Sequence, residues 1–162
     1  MPEPMYNHSL MEEIKRDEFY MSNALAEAEK ARKEGEIPVG AIVVSKENVL
    51  SRAHNETIIK CDPTAHAEII ALREACLKQG NPRLEETSLY VTLEPCAMCL
   101  GAMVQARIKR LIFGALDPKS GAVDSIMVFP FEQTNHRIEI TGGIMKEKCG
   151  KILKDFFQEL RF

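Results

Sequence analysis

The chain has 162 residues, 45% hydrophobic and 28% charged, which fits one soluble globular domain with a full core and not a fibrous or disordered chain. Its net charge of −3 is low for a nucleic-acid binder, but the balance is uneven: residues 1–36 carry 9 acids and 5 bases, whereas residues 101–162 carry 7 acids and 10 bases. The acidic start has no apolar core for a signal peptide, no apolar run approaches the roughly 20 residues of a membrane span, and five irregularly spaced cysteines make a poor disulfide framework. A cytoplasmic protein with reduced thiols and no membrane contact is therefore expected.

Residues 1–16 hold two prolines and no sustained periodicity, and read as a frayed tail with at most a short helix from Leu10. The expected domain is 17–162. Asp17 to Glu34 reads as an amphipathic helix with an apolar stripe of Met21, Ala24, Leu25, Ala28 and Ala31, ended by Gly35 and Pro38. Val39–Val44 and Val49–Ala53 flank a polar turn and make a hairpin. A helix is expected over Ala65–Lys78, stopped by Gly80-Asn81-Pro82, then a central strand over Ser88–Leu93 that delivers Glu94-Pro95-Cys96 into a helix reaching about Ala106.

Lys109–Ala115 is a further strand, and Leu116–Ser125 a polar, turn-rich loop of the kind that carries substrate contacts. Residues 126–134 read as a short helix or a partner-facing wall, Arg137–Thr141 as a last strand, and Met145–Leu160 as a helix with Cys149, Ile152, Leu153, Phe156 and Phe157 on one side. Lys146, Lys148, Lys151 and Lys154 form its solvated face. Strand–helix–strand units after a hairpin imply a mixed sheet with helices on both faces. No second domain, repeat or low-complexity segment interrupts this order.

The chemistry concentrates between Pro63 and Cys99. His66, Cys96 and Cys99 are three metal-ligand side chains, and three protein ligands on zinc leave the fourth tetrahedral position to water, the pattern of a catalytic site. Thiolate and imidazole donors favour zinc over harder cations. Glu68, two residues past the histidine, is placed to handle that water's proton. Cys96 and Cys99 stand at i and i+3, on one face of a helix whose N-terminus lowers a thiol pKa, and Pro95 suits the first helical position. Asp62-Pro63-Thr64 reads as a turn with a capping residue that puts His66 in the first turn of its helix. Cys61 and Cys76 lack motif partners and read as packing thiols, and His54 as a surface or core histidine. Glu94 reads first as a charged strand end, with support of the metal site as the lesser alternative.

H-x-E followed by P-C-x-x-C is the motif of the zinc nucleobase deaminases. Within them the chain resembles the bacterial tRNA adenosine deaminases, which convert a wobble adenosine of an anticodon to inosine. The resemblance runs from about Pro38 to Phe157. Besides the motif it includes Pro38-Val39-Gly40-Ala41, Asn55, Asp62-Pro63-Thr64, Gly101-Ala102-Met103, Lys119-Ser120-Gly121-Ala122, Ser125, Asn135-His136-Arg137 and Asp155-Phe156-Phe157.

It implies a cytidine deaminase-like, three-layer α/β/α fold with a five-stranded mixed sheet, and one zinc per subunit held by His66, Cys96 and Cys99. It also implies Glu68 as the catalytic proton carrier, a tRNA anticodon stem-loop as partner, and a homodimer. Asn55, Ala67, Asp117, Lys119, Asn135 and His136 would line the nucleotide path, and Phe156 and Phe157 would stack or wedge near the loop. The residues alone also permit core packing for the two phenylalanines and a turn role for Asn55. Leu116 stands where relatives often carry arginine.

A purine-base deaminase such as a guanine deaminase is the nearest rival, because it shares the Asp62–Glu68 run and the cysteine pair. The Lys119–Ser125 loop and Asn135-His136-Arg137 favour the tRNA enzyme over it and over cytidine deamination. A redox C-x-x-C protein would leave His66 and Glu68 without work. A non-catalytic zinc-bearing RNA-binding subunit would have no use for Glu68.

Overall fold

A computed structural model describes residues 4–161. Residues 1–3 of the expected tail and Phe162 lie outside the described residues. The first element, α1, runs from Pro4 to Lys33, so residues 4–16 continue the helix expected from Asp17 instead of fraying. Proline is tolerated at a helix start, and nothing between Pro4 and Asp17 breaks the helix. A long-range tie holds the junction. Asp17 is 2% exposed and accepts hydrogen bonds from the Tyr90 hydroxyl at 2.7 Å and from Arg110 at 3.0 and 3.2 Å, and Arg110 also meets Glu13 at 3.3 Å. Gly35, at φ 78°, terminates the helix in the left-handed conformation that glycine adopts without strain.

The hairpin expected from the two apolar runs is present as β1 (Gly40–Ser45) and β2 (Asn48–His54). It is followed by α2 (Ala67–Gln79), β3 (Thr87–Leu93), α3 (Ala97–Ala106), β4 (Arg110–Ala115), β5 (Glu139–Thr141) and α4 (Lys146–Leu160). The sheet order is β2-β1-β3-β4-β5. β1 pairs antiparallel with both β2 and β3, whereas β3–β4 and β4–β5 are parallel, so the sheet is mixed as expected. Over residues 126–134 the only helical turn is Phe131–Gln133, and Ile126, Met127 and Val128 stay exposed.

Alternation along the strands sorts the core into two layers. Ala41, Val43, Leu89, Val91, Leu111 and Phe113 face α2 and α3. Ile42, Val44, Tyr90 and Ile112 face α1, through Tyr20, Met21 and Ala24, and α4, through Cys149. The result is the three-layer α/β/α arrangement. The small residues of α1 let it lie almost on β1: a Cβ on Gly40 would fall 1.9 Å from the Ala24 carbonyl oxygen. The starts of α2 and α3 and the segment after β4 all meet one cavity beside β3.

Candidate active site

α2 and α3 each begin two residues later than the expected starts at Ala65 and Pro95. His66 is the N-cap of α2 and Cys96 the N-cap of α3, both with extended backbone, so His66 is not inside a first turn and Pro95 precedes the helix. Their carbonyls accept the first intrahelical bonds, from Ile70 at 3.1 Å and Leu100 at 3.0 Å. Neither side chain caps its helix. A serine or aspartate there would turn its oxygen back to the helix amides. Imidazole and thiol instead point away, toward each other. Asp62 makes the expected local turn, accepting from the Thr64 amide at 2.8 Å and the Thr64 hydroxyl at 2.7 Å, but it does not cap α2.

His66 Nδ1 stands 3.6 Å from Cys96 Sγ and 3.5 Å from Cys99 Sγ. Zinc bonds of about 2.0–2.1 Å to nitrogen and about 2.3 Å to sulfur put the N···S edge of a tetrahedron at about 3.6 Å. Both N···S edges therefore already have the length such an ion requires, and the three donors form a group with ligand atoms within 4.8 Å of one another. Cys99 is buried, whereas His66 and Cys96 are half-buried and border the cavity. Of the two thiols Cys96 is the readier thiolate: the hydrogen bond from Cys99, with help from His66, brings its pKa down to about 4. Cys99 is held up by the same pairing. The bond to Cys96 raises His66.

Glu68, in the first turn of α2, is 4% exposed and lines the same cavity. Burial pushes its carboxyl above the usual carboxylate range, so it holds a proton more readily than a surface glutamate. Asn55 is buried beside it, and its Oδ1 accepts the Ala67 amide at 2.9 Å. That bond fixes the side-chain amide and leaves its NH₂ donor for the cavity. It also means that Ala67 contributes by orienting Asn55.

The cavity has a volume of about 450 Å³, within the range of small-molecule pockets. Its polar end is His66, Cys96, Glu68 and Asn55, and its mouth carries Ile37, Leu116, Leu153 and Phe157. Asp117 and Lys119 line one side. The Asp117 carboxylate accepts the amides of Lys119 and Ser120, so it shapes its own turn.

Four of the residues expected to contact the nucleotide do not line the cavity: Ala67, which is fully buried, and Asn135, His136 and Phe156. Asn135 is exposed and takes Arg107 on its carbonyl and side-chain oxygens at 3.1 and 3.0 Å. His136 bonds through Nε2 to the Ile108 carbonyl at 2.6 Å. Phe156 is buried on the core side of α4. Its neighbour Phe157 faces the cavity, so the pair divides between packing and site.

Glu94 has more to do than a charged strand end. It is 2% exposed, lines the cavity, and accepts bonds from the amides of Asp117, Val123 and Asp124 and from the Ser125 hydroxyl. Burial alone would raise its pKa, but those four donors outweigh it and hold the carboxyl below the usual range. Backbone amides leave no residue-type signature, so only an acid at a strand end before Pro-Cys hinted at this role. Ile37 and Leu153 had no sequence signal beyond apolarity.

The MafB19-like deaminase family matches residues 15–161. A tRNA-specific adenosine deaminase of Bacillus subtilis (strain 168) is 45% identical over 147 residues, covering 90% of this chain and 91% of that protein. A structure solved in a study of A-to-I editing by tRNA:A34 deaminases superposes with a TM-score of 0.80 at 44% identity, covering 83% of this chain and 99% of the other. A guanine deaminase from Nitrosomonas europaea, at 21% identity and a TM-score of 0.71, covers 86% and 83% and shares the fold alone. The chain belongs to the MafB19-like deaminase family and stands in it with the tRNA-specific adenosine deaminases.

Proposed function

We propose that this protein is a zinc-dependent deaminase that converts adenosine to inosine at the wobble position of a tRNA anticodon. The observation that carries the reading is a donor set with zinc spacing beside a buried glutamate in a cavity sized for a nucleoside. The relatives supply the substrate class, at about twice the identity of the guanine deaminase.

His66, Cys96 and Cys99 would hold the ion, which when bound polarises water so that it is nucleophilic near neutral pH. Glu68 takes a proton from the water whose oxygen bonds to C6 of adenine and delivers it to the ring nitrogen N1. It then passes the proton of the new C6 hydroxyl to the amino group, so that the C6–N bond breaks, ammonia leaves and the carbonyl of inosine forms. Asn55 donates to the nucleotide through its free NH₂, and the apolar mouth covers the base once it has left its stack. Leaving is cheapest in a single-stranded loop, which an anticodon provides.

The exposed lysines of α4 and Lys119 are suited to the phosphates of the stem-loop. The exposed run Ile126-Met127-Val128 suits a second copy of the chain, so the reading includes a homodimer. No helix among the described residues is long and apolar enough to cross a membrane, which accords with a tRNA enzyme of the cytoplasm.

The test is product analysis by mass. Zinc-loaded protein is incubated with an anticodon stem-loop bearing a wobble adenosine and, separately, with guanine, adenosine and cytidine. Inosine formed in the stem-loop and lost in Glu68→Ala is expected. Xanthine from guanine beside an untouched stem-loop would overturn the substrate assignment.

A further inference from the structure

We infer that Glu94 is a positioning residue: its carboxylate clamps the segment Asp117–Ser125 into a preformed wall of the cavity. The clamp ties the substrate-facing loop to the same turn that presents the metal ligand Cys96. The inference rests on the deaminase reading above and adds to it the device that shapes the nucleotide path.

Four observations support the clamp. Both carboxylate oxygens are engaged by one short segment: Oε1 by the Asp117 amide at 3.0 Å and the Ser125 hydroxyl, Oε2 by the amides of Val123 at 2.9 Å and Asp124 at 2.7 Å. No lysine, arginine or histidine among the described residues pairs with Glu94 at salt-bridge distance, so a carboxylate that is 2% exposed is compensated by loop donors alone. The loop closes tightly on it, because a Cβ on Gly121 would lie 2.3 Å from Oε1 and 2.6 Å from the Asp117 carbonyl oxygen. A parallel tie, from the Ala122 amide to the Pro95 carbonyl at 2.9 Å, joins the same two segments through backbone.

Beyond these ties the segment is held by local polar bonds and by little apolar packing. The Gly121 amide donates to the Asp117 carbonyl at 2.9 Å, the Lys119 and Ser120 amides to the Asp117 carboxylate, and the Phe129 amide to the Ala122 carbonyl at 2.8 Å. Gly121 and Ala122 are its only buried residues, and Pro118, Lys119, Ser120, Asp124 and Ser125 are exposed. A loop with so few apolar contacts opens easily unless polar ties hold it. Its cavity-facing part, Asp117 to Ser120, begins at the amide that Glu94 holds. Removing the carboxylate would release that wall while leaving His66, Cys99 and Glu68 in place.

Glu94→Gln tests this at nearly constant volume, because its NH₂ would face N–H donors. Hydrogen exchange at the amides of Asp117, Val123 and Asp124 is expected to accelerate about tenfold, the factor for one charge-assisted hydrogen bond, with α2 and α3 unchanged. Bound zinc stays at one per chain, KM for the stem-loop rises about tenfold, and kcat stays within about threefold. Gly121→Ala, which leaves the carboxylate intact, gives the same split, and Ser125→Ala, which removes one donor of four, gives a smaller one.

Unchanged exchange in the segment overturns the clamp. Loss of zinc or of kcat with KM unchanged would show that Glu94 serves the cysteine turn instead. Should Glu94→Gln not fold, the two loop variants decide. A wild-type protein that makes no inosine would sink the deaminase reading, whereas the exchange measurement still judges the clamp by itself.

Discussion

Lys119 Nζ lies 5.6 Å from the ring centroid of Phe157, so the loop after β4 and the helix α4 meet across the mouth of the cavity. A cation at that distance is attracted by the ring face, by about 0.5–1 kcal/mol at an exposed site. The ring is 38% exposed and so remains available for a base to stack on, a contact of about 1–3 kcal/mol. Phe157→Ala is expected to raise KM for the stem-loop about tenfold with little change in stability, and Phe157→Tyr to retain binding. Phe156→Ala should do the reverse, destabilising the fold by about 3–5 kcal/mol through a core cavity. Steady-state kinetics and urea unfolding on the two variants separate the roles, and equal KM effects would contradict the division.

Glu68 is predicted to act on protons without holding the metal. Glu68→Gln should retain full metal content and lose about 10²- to 10⁴-fold in kcat, the usual scale of general acid–base catalysis. Cys96→Ser and His66→Ala should lose the metal along with activity. Elemental analysis beside single-turnover rates checks this, and metal loss in Glu68→Gln would show the carboxylate to be a ligand.

Asp17 anchors the start of α1 to the sheet. Asp17→Asn leaves Arg110, whose side chain is only 15% exposed, with Glu13 at 3.3 Å as its remaining anion. Because Glu13 still offsets part of the charge, the cost is expected to be about 1–3 kcal/mol, that of a charged hydrogen bond and not of a fully unpaired buried ion. The urea midpoint should fall accordingly with an unchanged slope, and the amides of residues 8–16 should exchange faster, while kcat of the folded protein is kept. An unchanged midpoint would show that the tie contributes nothing net.

His54 predicts a pH dependence of stability. Burial works against its charge, but hydrogen bonds to Glu27 at 3.1 Å and Glu34 at 2.9 Å outweigh that and raise its pKa above 6.5, with Glu56 a further carboxylate at 3.8 Å. A raised folded value gives stability that is complete below the unfolded value and lost as pH climbs through the folded one. Glu27 runs the other way. Burial pushes it up, but Lys30 and His54 bring it below 4.5, so its contribution is present above 4.5 and lost as pH falls through the lowered value. The cluster should stabilise most between about pH 5 and 6.5. Tm is expected to fall by about 2–4 °C from pH 6.5 to 8, with that slope removed in His54→Gln. A slope that persists in the variant would assign the effect to another group.

The strands, their succession along the chain and the donor set were legible because their signals are carried by residue type and short spacing, whereas the order of the strands within the sheet came only from the structure. Alternating apolar residues mark β1 and β3, and His66, Glu68, Cys96 and Cys99 have side chains whose chemistry is specific. Features set by long-range partners were not legible. The early start of α1 depends on Tyr90 and Arg110, which lie 73 and 93 residues from Asp17. The role of Glu94 depends on amides 23 to 30 residues downstream. Asn135 and His136 look free in the sequence and are engaged by Arg107 and by the Ile108 carbonyl. The helix starts shifted because His66 and Cys96 hold N-cap positions without capping, which spacing rules do not anticipate.

Placing two of the three donors at the caps of different helices has a consequence for assembly of the protein. Cys96 and Cys99 are neighbours on the chain, but His66 is 30 residues upstream of Cys96, and β3 must be seated between β1 and β4 before the two caps converge. The three donors come together only in the folded arrangement, so an ion held by them favours that arrangement over the unfolded chain. A chelator is expected to lower the unfolding midpoint of the loaded protein.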